Sequence, residues 1–88
     1  MFTNDLKKGD IVTLRNGWKA EIMDNLKGDT RLAKVFGDYT EIGSVYAHDI
    51  IYVHKDNMRI QIEHTDKQKK LFKKVHNIFS DYDGDFML

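Results

Sequence analysis

Ile11-Val12-Thr13-Leu14-Arg15-Asn16-Gly17-Trp18-Lys19-Ala20-Glu21-Ile22 is two short β-prone runs around an Asn-Gly turn, and its register decides the fold class. A two-residue turn would pair Val12 with Glu21 and Leu14 with Lys19, setting apolar side chains opposite charged ones. A three-residue loop, Arg15-Asn16-Gly17, pairs Leu14 with Trp18 and Val12 with Ala20 instead. Val12, Leu14, Trp18, Ala20 and Ile22 then share one face, with Lys19 and Glu21 on the other. The longer loop is therefore expected, with Gly17 in a left-handed conformation and Trp18 in the core.

A second hairpin follows the same logic further on. With Asp56-Asn57 as a two-residue turn, runs 50–53 and 58–63 set Val53 opposite Ile60 and Ile51 opposite Ile62. Arg59, Gln61 and Glu63 face away, and this hairpin needs no bulge. Between the hairpins, 24–29 is a polar connection around Lys27-Gly28. A strand is expected at 30–36, broken by Gly37-Asp38, and a brief one at 39–42 ending at Gly43. Val45 and Tyr46 read as extended, and Ala47-His48-Asp49 as one turn of tight helix. Five or six short strands at this spacing predict a mainly β protein built as a small, strongly bent barrel.

Residues 65–82 break the β pattern. At about 100° per residue, Leu71, Phe72, Val75, Ile78, Phe79 and Tyr82 fall in one arc roughly 120° wide. Lys67, Lys69, Lys70, Lys73 and Lys74 take the opposite side, and Thr65 with Gln68 has the form of a capping box. A C-terminal amphipathic helix packed on the barrel follows. Its lysines crowd the N-terminal half, the reverse of what the helix dipole favours. Either this face has a use, or it pairs with Asp24, Asp29 or Asp38 on the barrel. The expected organisation is one domain over 1–88: barrel 5–64, helix 65–82 and acidic tail 83–88.

The totals narrow the function classes. Lys and Arg number 14, as do Asp and Glu, but the balance is uneven along the chain. Residues 1–64 hold nine cations against ten anions, and 65–82 hold five against two. Duplex-binding domains carry a larger and more continuous basic surface. There is no cysteine, hence no disulfide, thiolate chemistry or cysteine-based zinc site. The opening residues lack the apolar run of a signal peptide and no stretch has membrane-spanning length, so a soluble cytoplasmic protein is expected.

No metal or cofactor is expected. His54 and His64 lie at opposite ends of the second hairpin, and His76 has no partner at helical spacing. Asp81, Asp83, Gly84 and Asp85 only faintly resemble a calcium loop; the glycine is misplaced and no bidentate glutamate follows. Catalysis lacks a nucleophile with a positioned base: His48 and Asp49 are neighbours, but Ser44 and Ser80 stand in no motif. No glycine-rich phosphate loop is present. A non-enzymatic protein is expected.

Asp5-Leu6-Lys7-Lys8-Gly9-Asp10-Ile11-Val12 followed by Arg15-Asn16-Gly17-Trp18 resembles the opening of small SH3-like barrel proteins common in bacteriophage genomes. Tyr39-Thr40-Glu41-Ile42-Gly43-Ser44-Val45-Tyr46, then Asp49-Ile50, is similar to their later part. The resemblance covers roughly residues 5–53 and implies a five-stranded barrel of phage or mobile-element origin acting in the host cytoplasm. The strand and helix after Val53 depart from the minimal barrel. It implies no particular activity. Such barrels often present aromatics near the final turn, so Tyr39, Tyr46 and His48 are the expected partner-binding residues. Tyr46 and Tyr52 serve equally well as core. The expected role is to occupy a host protein, with inhibition of a host enzyme or defence complex fitting size and origin. The alternative is nucleic-acid binding through Lys67, Lys69, Lys70, Lys73 and Lys74.

Overall fold

The computed structural model describes residues 1–25 and 28–75. Lys27, His76, the later stripe residues Ile78, Phe79 and Tyr82, and the acidic tail lie outside the described residues. Six strands, β1 (Ile11–Leu14), β2 (Lys19–Ile22), β3 (Thr30–Phe36), β4 (Thr40–Tyr46), β5 (Ile50–Lys55) and β6 (Met58–Gln61), form one antiparallel sheet. Their order is β4-β3-β2-β1-β5-β6. A helix, α1, begins at residue 66 and is described to residue 75.

The first hairpin has the register that its apolar pattern demands. Val12 pairs with Ala20, and the Leu14 N–H donates to the Trp18 carbonyl at 2.7 Å. Gly17 has φ +91° and closes the loop by donating to the Leu14 carbonyl at 2.9 Å. A side chain there is strained, so Gly17→Val should lose more than about 1 kcal/mol. Urea unfolding checks this; an unchanged midpoint would remove Gly17 from the positive-φ position.

The second hairpin is also as expected, with Val53 opposite Ile60 and a turn at Asp56 (φ 51°) and Asn57 (φ 63°). Both signs are those of a type I′ turn, which matches the twist of the strands it joins. Against β1, however, β5 carries an irregularity: Thr13 pairs with Tyr52 but Leu14 pairs with Ile50. Ile51 is thus an extra residue, and the bulge lets both Ile50 and Val53 point inward, where both are fully buried.

Three expectations are corrected. β4 is not a short strand over 39–42. Every residue from Thr40 to Tyr46 has a partner on β3, so the ladder runs through Gly43, which sits opposite Ala33. The sheet is not closed into a barrel. β3 and β4 pair over seven residues with no register shift to curl them round, which leaves β4 and β6 as the edges among the described strands. Trp18 is not core; it is 44% exposed. Its cross-strand place is beside Gly37, which offers no side chain, and the ring lies where a Cβ on Gly37 would stand.

The core sits on the inner face of the sheet: Val12, Leu14, Ala20, Ile22, Ala33, Ile50, Val53 and Ile62, together with Leu6. Part of its cover comes from the N-terminal residues. Thr3–Asp5 is a 3-10 turn with Thr3 fully buried, and the Thr3 hydroxyl donates to the Ala47 carbonyl at 3.3 Å. Asn25 Nδ2 donates to the carbonyls of Asn4 (3.0 Å) and Leu6 (2.5 Å), binding this segment to the 23–25 connection.

The start of α1 is the expected capping box. Thr65 N–H donates to Gln68 Oε1 at 2.9 Å, and Gln68 N–H donates to Thr65 Oγ1 at 3.2 Å. Leu71, Phe72 and Val75 are half-buried, while Lys67, Lys69, Lys70, Lys73 and Lys74 are all exposed. Through Phe72 the helix meets the first hairpin loop and the Ala47–Asp49 turn: the ring lies under the Arg15 guanidinium at 4.2 Å and edge-on to His48 at 5.3 Å.

Candidate functional site

The inner face is filled at its middle and left open toward β4. There Leu14, Trp18, Val35, Gly43, Val45 and Tyr46 line a groove of about 600 Å³, within the range of ligand sites. Its position follows from the strand pattern. Val35, Gly43 and Val45 share the parity of buried Ala33, but β4 is an outer strand and nothing described lies beyond it. Trp18 stands at one end because the three-residue loop puts it on the inner face with only Gly37 alongside.

The other end is built around Arg15. Its backbone N–H donates to the Asp49 carbonyl at 2.7 Å, and Nη2 donates to the His48 carbonyl at 2.6 Å. Nε lies 3.4 Å from Asp49 Oδ1. These contacts join the first hairpin loop to the 3-10 turn Ala47–Asp49, and Phe72 packs on the same guanidinium. Arg15 and Asp49, which line the groove together with Tyr46, are therefore tied to each other by these contacts.

Of the three expected partner-binding residues, the fold brings two together. Tyr46 lines the groove and stacks on His48, with ring centroids 4.8 Å apart and planes 14° from parallel. His48 is only 2% exposed and stands behind Tyr46, fixing its orientation. Tyr39 is 79% exposed in the turn between β3 and β4 and does not line the groove. Trp18, Val35 and Arg15 were not among the expected site residues. The signal for Trp18 was the glycine opposite it, legible only once the β2–β3 register is known.

The described histidines have structural neighbours. His54 Nε2 is 2.7 Å from Thr13 Oγ1, and His64 Nε2 is 2.9 Å from the Ile50 carbonyl. His48 Nε2 lies 3.7 Å from Asp49 Oδ1, a carboxylate shared with Arg15. Among the described residues no three of His, Asp and Glu converge as metal ligands. Nor, among them, does any ion pair join the α1 lysines to Asp24, Asp29 or Asp38. No described helix is long and apolar enough to cross a membrane. No protein-family model, curated protein or solved structure matches the chain.

Proposed function

We propose that this chain is a non-enzymatic binding protein of phage origin that occupies a surface on a host protein in the host cytoplasm. Blocking a host enzyme or defence complex suits its size. The observation that carries the reading is Trp18, a large aromatic left 44% exposed at the end of an apolar groove that Tyr46 also lines. Exposed aromatics over an apolar floor are the usual centres of protein–protein interfaces. An SH3-like fold is the finer structural reading. Its support is the order β4-β3-β2-β1-β5 and the 3-10 turn between β4 and β5.

The test is capture from a bacterial lysate with the wild-type chain, Trp18→Ala and Tyr46→Ala side by side, with mass spectrometry of the bound proteins. A host protein held by wild type and lost from both variants is the expected result. A partner retained equally by all three would remove the groove from the function.

One observation favours a second reading, nucleic-acid binding through α1, on which five exposed lysines make no ion pair among the described residues. Anisotropy with labelled single- and double-stranded DNA and RNA at about 50 mM salt separates the two. If the lysines track phosphates, Lys69→Gln with Lys73→Gln should reduce the salt slope by about two. Under the protein-partner reading neither DNA nor RNA binds.

A further inference from the structure

The two edges of the sheet are not treated alike. β6 is four residues long, carries Arg59, and its continuation is taken up by the N-terminus: Phe2 bridges Glu63, and the Glu63 N–H donates to the Met1 carbonyl at 2.7 Å. β4 is seven residues long and pairs with β3 without a register shift. Alternate backbone N–H and C=O groups of such a strand point outward. Proteins protect long edges with lysine, proline, bulges or a covering segment. β4 has no lysine, proline or bulge, and its only charged residue is Glu41.

The groove runs along the inner side of this same edge, beyond which no described segment pairs. Glu41, Gly43 and Val45 are its inward residues, and a Cβ on Gly43 would meet nothing within 4 Å. Glu41 is exposed and makes no ion pair among the described residues. We propose that β4 is a strand-addition site. An extended segment of a partner protein pairs along residues 40–46 and turns alternate apolar side chains into the groove, with a lysine or arginine beside Glu41. The side chain opposite Gly43 takes the space that glycine leaves. This deepens the groove reading and rests on it.

A second copy of the chain is a poorer occupant. Antiparallel self-pairing centred on Gly43 would set Glu41 opposite Val45 and glycine opposite glycine. That supplies neither a cation for Glu41 nor a large side chain for the groove.

The test pans a random peptide display library against the full chain and titrates the enriched peptides by fluorescence of Trp18, the single tryptophan. Amide hydrogen exchange then maps the bound surface. Enriched peptides should alternate apolar residues and carry lysine or arginine, and β4 amides should gain at least about tenfold protection. N-methylating alternate peptide amides should weaken binding at least about tenfold in one register and little in the other. Glu41→Lys, an exposed change that leaves the core intact, should weaken it roughly three- to fivefold. Peptides that move Trp18 but tolerate methylation in both registers would overturn strand addition while leaving the groove reading standing. Failure of any peptide to move Trp18 would overturn both. A concentration-dependent dimer that protects β4 without peptide would overturn the choice of occupant.

Discussion

Ile22→Ala should lower the unfolding free energy by about 2–5 kcal/mol. Ile22 is fully buried on β2, opposite Ala33, and its own strand neighbour on the inner face is Ala20. Both alanines are fully buried as well, so neither can expand into the space the substitution leaves. The backbone around it is held at both poles: the Ile22 N–H donates to the Asp10 carbonyl at 2.9 Å, and its carbonyl accepts from the Gly9 N–H at 2.7 Å. The cavity therefore stays open rather than collapsing. Since domains of this kind are stable by only about 5–15 kcal/mol, the loss is a large share of the whole. Urea unfolding followed by far-ultraviolet circular dichroism measures it. Phe72→Ala on the half-buried helix should cost less, about 1–3 kcal/mol, because part of that ring is already in water. If Phe72→Ala proved the more damaging, the core would be organised around the helix instead of the sheet.

Arg31→Ala should cost about 2–4 kcal/mol, a large effect for an arginine. Arg31 is 1% exposed on the inner face of β3. Its Nη1 donates to the carbonyls of Gly28 (2.5 Å) and Thr30 (2.9 Å), and Nη2 donates to Asn4 Oδ1 at 2.5 Å. Burial lowers its pKa from the ordinary arginine value, and the charge of Asp24 works against that shift. The guanidinium thus ties the N-terminal segment and the 28–30 bend to β3. Removing it leaves acceptors facing a cavity. Arg31→Lys should recover only part of the loss, since an ammonium cannot reproduce the planar fork that reaches both sides. Matched midpoints for wild type and Arg31→Ala would mean that these acceptors find water readily and that the tie is unimportant.

The places where sequence reasoning succeeded share a physical basis. The hairpin registers were legible because a shift by one residue would have turned Val12 and Leu14, or Val53 and Ile60, out of the core. The capping box depends on two residues three apart, and the tight turn at Ala47–Asp49 lies between two β-prone runs. All of these are local matters. Gly43 misled because glycine usually marks an end, and whether a strand continues through it depends on a neighbour supplied by distant residues.

The burial of Arg31 was illegible for the same reason. Nothing near it in sequence says that Asn4 will be waiting, 27 residues away. Tyr39 and Tyr46 look alike as exposed aromatics, but only the second reaches the groove, because β4 carries it to the Arg15 corner while Tyr39 stays in the turn.

The apolar periodicity and turn chemistry by themselves determined an antiparallel, mainly β chain with two pinned hairpins, a capped C-terminal helix and five lysines on one side of it. Only the tertiary structure decided that the sheet stays open, that β4 is a long edge with no partner beyond it among the described residues, and that Trp18 stands over Gly37 beside a groove instead of inside the core. Register and capping are settled by neighbours a few residues apart. Edge exposure and groove shape depend on which strands end up without a partner, and that is a property of the assembled sheet.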